Sequence, residues 1–429
     1  MKNITFKIIA TLLLGAGESQ AQRYFLTDLG TLRTNGTGTS SAAGINTSGM
    51  IVGVSDSSTG GQRAFRLKPG GTMEDLGYIN NPSYPSSAYA INATGVVSGA
   101  AVTQSGSVAE AFRYTDSTGL NPLPWLPGGG DCYGRSINAG GTIVGWSNRG
   151  IGCGGSSCIN NPGYAVRWIG STIETIGGLG GYYSDASGIN DAGEVCGYGA
   201  VTNNTAITHA FRIPAGGGAV IDLGTLGGLH SQADAINNSG HIVGTAYLSG
   251  NTNSHAAIWI SSTAEDLGSL PGKSQSGALA ISDVGEIVGF CSDTNGVNPR
   301  ATLFRRGAPP TDLNTLIEAG SGWLLTYARG INSSGRIVGV GLTNGVSKAF
   351  LLTPYPALSI RLLQGEVELC WNSQTNRPYQ LQYRSDLTTG TWSNLGILIQ
   401  GNGTTNCVSD PMVPGQVNKF FRIAVTNAP

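Results

Sequence analysis

The chain has 429 residues, of which 67 are glycine, while 11% are charged and 40% are hydrophobic. Glycine is thus about twice as frequent as the usual 7%, without the triplet period of collagen, and the hydrophobic content is too high for a disordered chain. The formal net charge of −1 excludes the binding of nucleic acid or of an anionic membrane by charge alone. This glycine-rich, charge-poor composition predicts many short strands joined by tight turns.

The first 21 residues are typical of a secretory signal peptide. Lys2 and Lys7 supply a positive start, residues 8–14 are apolar, and residues 19–21 form a small-x-small cleavage site. The apolar run is too short to span a bilayer. We therefore expect cleavage near Ala21 and a secreted or periplasmic mature chain that does not insert into a membrane.

One phrase, Ala-x-Ile-Asn-x-x-Gly-x-Ile-Val-Gly in its first copy, recurs seven times along the chain with substitutions. Its copies end at Gly53, Gly99, Gly145, Gly197, Gly244, Gly289 and Gly339, at spacings of 45 to 52 residues. In Asn-x-x-Gly the asparagine suits the first position of a type I turn, and the glycine accepts the left-handed conformation that follows. Each phrase therefore predicts a β-hairpin.

Two more short strands complete each repeat. An Ala-Phe-Arg-like strand follows the hairpin, as at residues 64–66, and an Asp-Leu-Gly strand follows in turn, as at residues 222–224. Four strands in a repeat of this length are typical of a propeller blade. The seventh repeat lacks its Asp-Leu-Gly strand, which residues 24–30 supply. The sequence thus predicts an all-β fold, with a seven-bladed β-propeller over residues 22–354 closed by the N-terminal strand.

The repeats resemble those of the HAF family, called after their His-Ala-Phe step, which His209-Ala210-Phe211 spells in full. The resemblance implies a secreted or surface repeat protein of bacteria and brings no catalytic residue with it. Other residues replace this histidine in five of the seven copies. The step is therefore interpreted as architectural.

Residues 355–429 leave the repeat and show the alternating apolar positions of short strands. This segment resembles a small β-sandwich of the fibronectin-III or immunoglobulin-like kind. Its two cysteines, Cys370 and Cys407, are expected to form a disulfide. Cys153 and Cys158, which share one Gly/Ser-rich loop, are expected to form another. The cysteines that this leaves without a partner or a role are Cys132, Cys196 and Cys291.

Few polar residues stand out as candidates for chemistry. His209 and His255 occupy the same repeat position, and the aspartate of the fourth strand recurs in most copies, where it is interpreted as a turn cap. We find no recognised zinc, calcium or phosphate motif, so no catalytic residue, metal or cofactor is predicted. The carboxylates that break the symmetry are Asp131, Asp185 and Asp234.

Scattered tryptophans offer the remaining candidates for ligand binding. Trp125, Trp146 and Trp323 are absent from most other copies and could stack on sugar rings, whereas Trp168 and Trp259 are interpreted as core residues. The predicted function is a secreted, non-catalytic binding or adhesion protein whose propeller face presents loops to a polysaccharide or a cell-surface protein. The alternative is a polysaccharide-active hydrolase or lyase on a propeller scaffold, which would need clustered, non-repeating carboxylates.

Overall fold

The computed structural model describes residues 23–103, 108–148, 163–201, 207–356, 358–363, 366–373, 377–385, 391–402, 404–411 and 419–425. The predicted signal peptide and the predicted Cys153–Cys158 disulfide lie outside these ranges. Within them the elements are β-strands, apart from two 3-10 turns at Thr294–Gly296 and Leu313–Thr315, so the predicted all-β class is confirmed. The described residues contain no helix of the length and apolarity that a membrane span requires.

The chain separates into a unit of residues 24–353 and a second unit that contains the residues from 354 onward. The larger unit holds seven four-stranded sheets. Strand β1 (Tyr24–Asp28) belongs to the seventh of them. The first sheet contains β2 (Ser40–Ile45), β3 (Ile51–Asp56), β4 (Gln62–Leu67) and β5 (Met73–Asp75). The second contains β6 (Ser86–Ile91), β7 (Val97–Val102), β8 (Ala109–Thr115) and β9 (Gly119–Pro122). The third contains β10 (Cys132–Ile137), β11 (Ile143–Asn148), β12 (Gly163–Ile169) and β13 (Thr172–Thr175).

The remaining sheets continue the same order. The fourth contains β14 (Ser184–Ile189), β15 (Val195–Ala200), β16 (Thr208–Ile213) and β17 (Ile221–Asp222). The fifth contains β18 (Gly227–Ile236), β19 (Ile242–Leu248), β20 (Ser254–Trp259) and β21 (Ala264–Asp266). The sixth contains β22 (Gln275–Ile281), β23 (Ile287–Ser292), β24 (Arg300–Arg305) and β25 (Ala308–Asp312). The seventh contains β26 (Trp323–Ile331), β27 (Ile337–Thr343), β28 (Val346–Pro354) and β1. An all-β chain built from such four-stranded sheets is consistent with a β-propeller.

The predicted hairpin turn is present at each repeat phrase. In the first sheet the amide of Gly49 donates to the carbonyl oxygen of Asn46 at 3.0 Å, and Gly49 has φ 87°. The side-chain Oδ1 of Asn46 also accepts from the amide of Met50 at 2.9 Å. The asparagine therefore closes its own turn twice, once through its backbone and once through its side chain.

The same asparagines also join neighbouring sheets. Asn46 Nδ2 donates to the carbonyl oxygen of Asn92 at 2.9 Å, and Asn332 Nδ2 donates to that of Asn46 at 3.0 Å. The other links of this kind run from Asn92 to Asn138, from Asn138 to Asn190, from Asn190 to Asn237 and from Asn237 to Ser282. Ser282 has no side-chain amide, so it donates no such link to the next sheet. We call this series the asparagine ring.

The last glycine of each phrase is required by close packing. A methyl group at Gly244 would overlap the backbone oxygen of Gln232 on the neighbouring strand, and the equivalent clash arises at Gly53, Gly99, Gly145, Gly197, Gly289 and Gly339. An aromatic ring adds to the crowding in several copies, as where Phe112 packs over Gly99. The repeat keeps glycine here because no side chain fits between these strands.

The three unassigned cysteines are buried thiols that replace core residues of other repeats. Cys132 Sγ accepts from the amide of Ala111 at 3.2 Å, where Ser86 Oγ accepts from Ala64 in the preceding sheet. Cys291 Sγ likewise accepts from an amide, at 3.4 Å. Cys196 occupies a position that holds valine in most other copies. Burial raises the pKa of Cys132 to about 12 and also raises that of Cys196.

The second unit contains two three-stranded sheets. Its strands are β29 (Ser359–Leu363), β30 (Glu366–Asn372), β31 (Pro378–Arg384), β32 (Ser393–Gln400), β33 (Thr405–Pro411) and β34 (Phe420–Val425). The sheet orders are β29-β30-β33 and β32-β31-β34. Leu369 and Trp371 of one sheet share a core with Tyr379 and Leu381 of the other. The expected disulfide between Cys370 and Cys407 is present and joins β30 to β33.

Candidate active site

The first strand of each sheet in the larger unit carries a β-bulge. We call β2, β6, β10, β14, β18, β22 and β26 the inner strands, because all seven line one cavity. In each of them the register with the next strand shifts around a single residue, two positions before the first isoleucine of the repeat phrase. The residues at these shifts are Ala43, Tyr89, Arg135, Ser187, Asp234, Leu279 and Arg329. A bulge re-aims a side chain without breaking the sheet.

All seven bulge residues line a common space of about 260 Å³, which we call the central cavity. Asp185, Tyr198 and Gln232 complete its lining. The volume lies just below the 300–1,000 Å³ of sites for drug-sized ligands, so the cavity suits one small group. Its walls differ from sheet to sheet, unlike the rest of the repeat. The cavity is therefore where the symmetry of the fold breaks.

Asp185 is held by an arginine within this cavity. It is 2% exposed, and its Oδ2 accepts from Arg135 Nη2 at 3.0 Å. Burial raises the pKa of Asp185, and the charge of Arg135 opposes that rise. The arginine is further framed by aromatic rings, since its guanidinium lies 5.3 Å from the ring centre of Tyr133 and 5.9 Å from that of Tyr89. Asp185 and Arg135 thus form a rigid, mutually compensating pair.

Asp234 is the group of the cavity whose pKa lies near neutral pH. The side chain lies among the inner strands, where it is partly exposed to solvent. Its Oδ1 accepts a hydrogen bond from Gln232 Nε2 at 2.8 Å. Burial raises the pKa of Asp234 to about 7, and the charge of Asp185 adds to the rise, while Gln232 and Arg135 oppose it. A carboxyl with this pKa exchanges a proton near neutral pH, as a general acid or base must.

Arg329 faces the same cavity without a charged partner. Within the described ranges no carboxylate forms an ion pair with it, and its guanidinium lies 5.4 Å from the ring centre of Tyr327. Burial lowers the pKa of Arg329. The tyrosines nearby stay neutral, because burial raises the pKa of Tyr89 and of Tyr198. They can donate hydroxyl hydrogen bonds to a ligand.

A second cavity of about 240 Å³ is lined by the Ile-Asn ends of the inner strands and by the turns that follow them. Its lining repeats the same isoleucine and asparagine around the asparagine ring. Asp191 and Asp283 add charge, but Asn238 Nδ2 donates to both of them at 3.0 and 3.1 Å. This repeated, hydrogen-bonded surface lacks the asymmetry of the central cavity.

Two of the three asymmetric carboxylates converge on the central cavity and the third does not. Asp131 Oδ1 instead accepts from the amide of Ala109 at 2.7 Å and serves the backbone. The sequence singled out Asp185 and Asp234 but missed their companions. Arg135 and Arg329 occupy the same repeat position as Asp234. Comparing that one position across the seven copies would have revealed these charged residues.

The predicted tryptophan candidates lie apart from the cavity lining. Trp125 is half-buried beside the cluster that contains Trp168, and Trp323 packs against another core cluster. Trp146 stands 5.7 Å from the ring centre of Tyr133. The three tryptophans do not lie together at one site, and their role in ligand binding stays a prediction. Trp168 and Trp259 are fully buried, which confirms their interpretation as core residues.

The recurring histidines and aspartates have structural roles. Asp222 Oδ1 accepts from the amide of Gly224 at 2.8 Å, and Asp266 does the same for Gly268 at 2.7 Å, so the interpretation as turn caps is confirmed. His209 Nδ1 lies 2.9 Å from a carboxylate oxygen of Asp222. His255 stands in the same relation to Asp266 at 3.0 Å. These pairs tie the third strand to the fourth in two adjacent sheets.

Comparison with known proteins gives a structural likeness only. No protein-family model matches the chain, and no curated protein matches it either. Two solved structures of puromycin hydrolase are similar to it, one of them of a mutant complexed with PGG. Both share 12% identity over 79% of this chain, with TM-scores of 0.48 for the mutant and 0.47 for the other. This chain spans 59% of the length of each.

The similar chains are those of a hydrolase, so the comparison does not support the prediction of a non-catalytic binding or adhesion protein. At 12% identity the likeness bears on the fold alone. The chemistry of this chain is argued from its own cavity residues.

Proposed function

We propose that the protein is a polysaccharide-active hydrolase or lyase whose active site is the central cavity. The observation that carries the proposal is Asp234, a cavity carboxyl whose pKa of about 7 lets it hold or release a proton at neutral pH. It lies among the inner strands with a second carboxylate, Asp185. Clustered carboxylates at positions that do not repeat are what the alternative prediction requires.

Asp234 is the proposed general acid–base residue. Its Oδ1 is occupied by Gln232, and within the described part of the chain Oδ2 accepts no hydrogen bond. Oδ2 is therefore the atom that donates a proton to a leaving oxygen or takes one from the substrate. Asp185 is a positioning residue, because it holds Arg135 and its charge adds to the rise that burial causes in the pKa of Asp234. Gln232 fixes the orientation of the Asp234 carboxyl.

The proposal places these residues in a seven-bladed propeller over residues 22–354. Support comes from the asparagine ring, whose last link returns from Asn332 to Asn46. Further support comes from the order β1-β28-β27-β26 in the seventh sheet, with the amide of Leu29 bonded to the oxygen of Ala349 at 3.0 Å. An N-terminal strand in that place would leave no open edge between the first and last blades.

Secretion belongs to the same proposal. The disulfide between Cys370 and Cys407 is compatible with an oxidising compartment outside the cytoplasm. A secreted enzyme would meet polysaccharides there. The resemblances to the HAF repeats and to a fibronectin-III-like sandwich stay predictions, as does signal-peptide cleavage near Ala21.

The test incubates the chain from Gln22 onward with a panel of bacterial and plant polysaccharides. Reducing ends report hydrolysis, and ultraviolet absorbance of unsaturated ends reports elimination. We expect release from at least one substrate and a loss of roughly 100-fold or more in Asp234→Asn, the usual contribution of a general acid or base. Glu265→Gln is the matched control, because it removes an exposed carboxylate paired with Arg306 outside the cavity.

Two outcomes would overturn the proposal. One is the absence of any release from the whole panel by a folded protein. The other is an Asp234→Asn variant as active as the parent, with circular dichroism spectra that match.

A further inference from the structure

The central cavity contains two arginines, Arg135 and Arg329, but among its described lining residues only one carboxylate, Asp185, forms an ion pair. Arg135 and Asp185 neutralise each other across 3.0 Å. Asp234 titrates with a pKa of about 7, so it carries only part of a negative charge at neutral pH. Arg329 remains, and an arginine side chain stays protonated in a protein. The cavity is therefore net positive in its resting state.

Arg329 differs from Arg135 although both are bulge residues of inner strands. Arg135 is paired with Asp185, whereas the Arg329 side chain is exposed to the cavity and has no ion pair among the residues that the structure describes. The aromatic ring of Tyr327, 5.4 Å away, is its charge-stabilising neighbour. Burial lowers the pKa of Arg329, which means that it disfavours the charged guanidinium. An anionic group that entered the cavity would offset this desolvation cost by pairing with the guanidinium.

The other lining groups suit a hydroxylated ligand. Tyr89, Ser187 and Gln232 present hydroxyl and amide groups to the same space. Such groups pair with the hydroxyls of a sugar ring, and the volume of about 260 Å³ admits one small group at a time. The planar fork of a guanidinium matches a carboxylate with two parallel hydrogen bonds.

We propose that Arg329 binds the carboxylate of an acidic sugar residue, so that the substrate is a uronate-containing polysaccharide. This inference rests on the proposed function, since it names the substrate class of the same cavity. Arg329 would hold the uronate while Asp234, which lines the same cavity, handles the proton. Arg329 is then the specificity residue of the site.

The test titrates the protein with glucuronate, glucose and glucose 6-sulfate by calorimetry. We expect glucuronate to bind at least about tenfold more tightly than glucose, and Arg329→Gln to lose that preference, since a charge-assisted hydrogen bond typically contributes tenfold or more. Arg329→Lys should retain part of it, which separates loss of charge from loss of fold. Arg305→Gln is the matched control, because Arg305 pairs with Glu286 away from the cavity.

Equal affinity for glucose and glucuronate would overturn the inference, and so would a preference for the sulfate or an unchanged Arg329→Gln. Cleavage assays separate the two proposals. If neutral polysaccharides are cleaved with the same kcat/KM by the parent and Arg329→Gln, the enzyme stands and the uronate inference fails. If glucuronate binding depends on Arg329 but nothing is cleaved, the anion site stands and the proposed function fails.

Discussion

Replacing Asn332 by serine should weaken the link between the last and the first sheets. Asn332 Nδ2 donates to the buried carbonyl oxygen of Asn46 at 3.0 Å, and its Oδ1 accepts from the amide of Arg336 at 3.1 Å. Serine keeps the second of these roles, because Ser282 Oγ at the same repeat position accepts from the amide of Glu286 at 3.1 Å. The substitution therefore removes the link between sheets and keeps the bond to residue 336, while it also gives up the hydrogen bond that Asn332 Oδ1 accepts from the Ser334 hydroxyl at 2.8 Å.

The magnitude follows from the bond that is lost. A hydrogen bond contributes about 1 kcal/mol net, and leaving a buried carbonyl unpaired costs about 1–3 kcal/mol. We expect Asn332→Ser to lower the free energy of unfolding by about 1–3 kcal/mol. The reverse change, Ser282→Asn, supplies the one link that the asparagine ring lacks and should raise the free energy of unfolding by about 1 kcal/mol.

Equilibrium urea unfolding, followed by tryptophan fluorescence, measures both variants against the parent. Asn121→Ser is the control for the exchange itself, because Asn121 is exposed and bonds only to residues close in sequence; it should stay within about 0.5 kcal/mol of the parent. The reasoning is refuted if Asn332→Ser unfolds at the same urea concentration as the parent and Ser282→Asn gains nothing.

Two further predictions concern the cavity and the repeat. The pKa of Asp234 is about 7 in the folded chain and about 3.9 when unfolded, so the native state binds the extra proton and the parent loses stability as pH rises from 4 to 7. The free energy of unfolding of Asp234→Asn relative to the parent should therefore increase with pH, from no difference at pH 4 to as much as about 4 kcal/mol above pH 8. Unfolding experiments across that range measure it, and a difference that does not vary with pH contradicts the prediction. Gly244→Ala should destabilise by about 3 kcal/mol, as overpacking at the strand would, and thermal unfolding that matches the parent would disprove the packing argument. Gly130→Ala is the control, because Gly130 is likewise not left-handed and an added methyl group there meets only open space.

Much of the fold could be predicted from the sequence because its signals are local. The Asn-x-x-Gly turn and the glycine that ends the phrase act within one hairpin, and both recur in nearly every copy. The second role of the asparagine was not predictable in this way. Asn46 and Asn92 bond across sheets, and that contact exists only once the repeats stand side by side.

The candidate site shows the same boundary between local and distant information. Asp185 and Asp234 stood out because they break the repeat, but nothing in the sequence places them in one cavity. Arg135 and Arg329 do not stand out in the sequence, because they lie two positions before the recurring Ile-Asn step, at a position where the residue differs from copy to copy. A β-bulge points that residue into the cavity, and a bulge leaves no sequence signal of its own here.

The buried thiols have a consequence for how the chain reaches its native state. Disulfide exchange requires a thiolate that can reach another sulfur atom, and burial raises the pKa of Cys132 to about 12. Once the larger unit has folded, Cys132, Cys196 and Cys291 are removed from exchange, whatever the oxidant around them. The bridge between Cys370 and Cys407 is then safe from reshuffling by these thiols. In a chain oxidised before its sheets form, by contrast, these sulfurs would be free to cross-link.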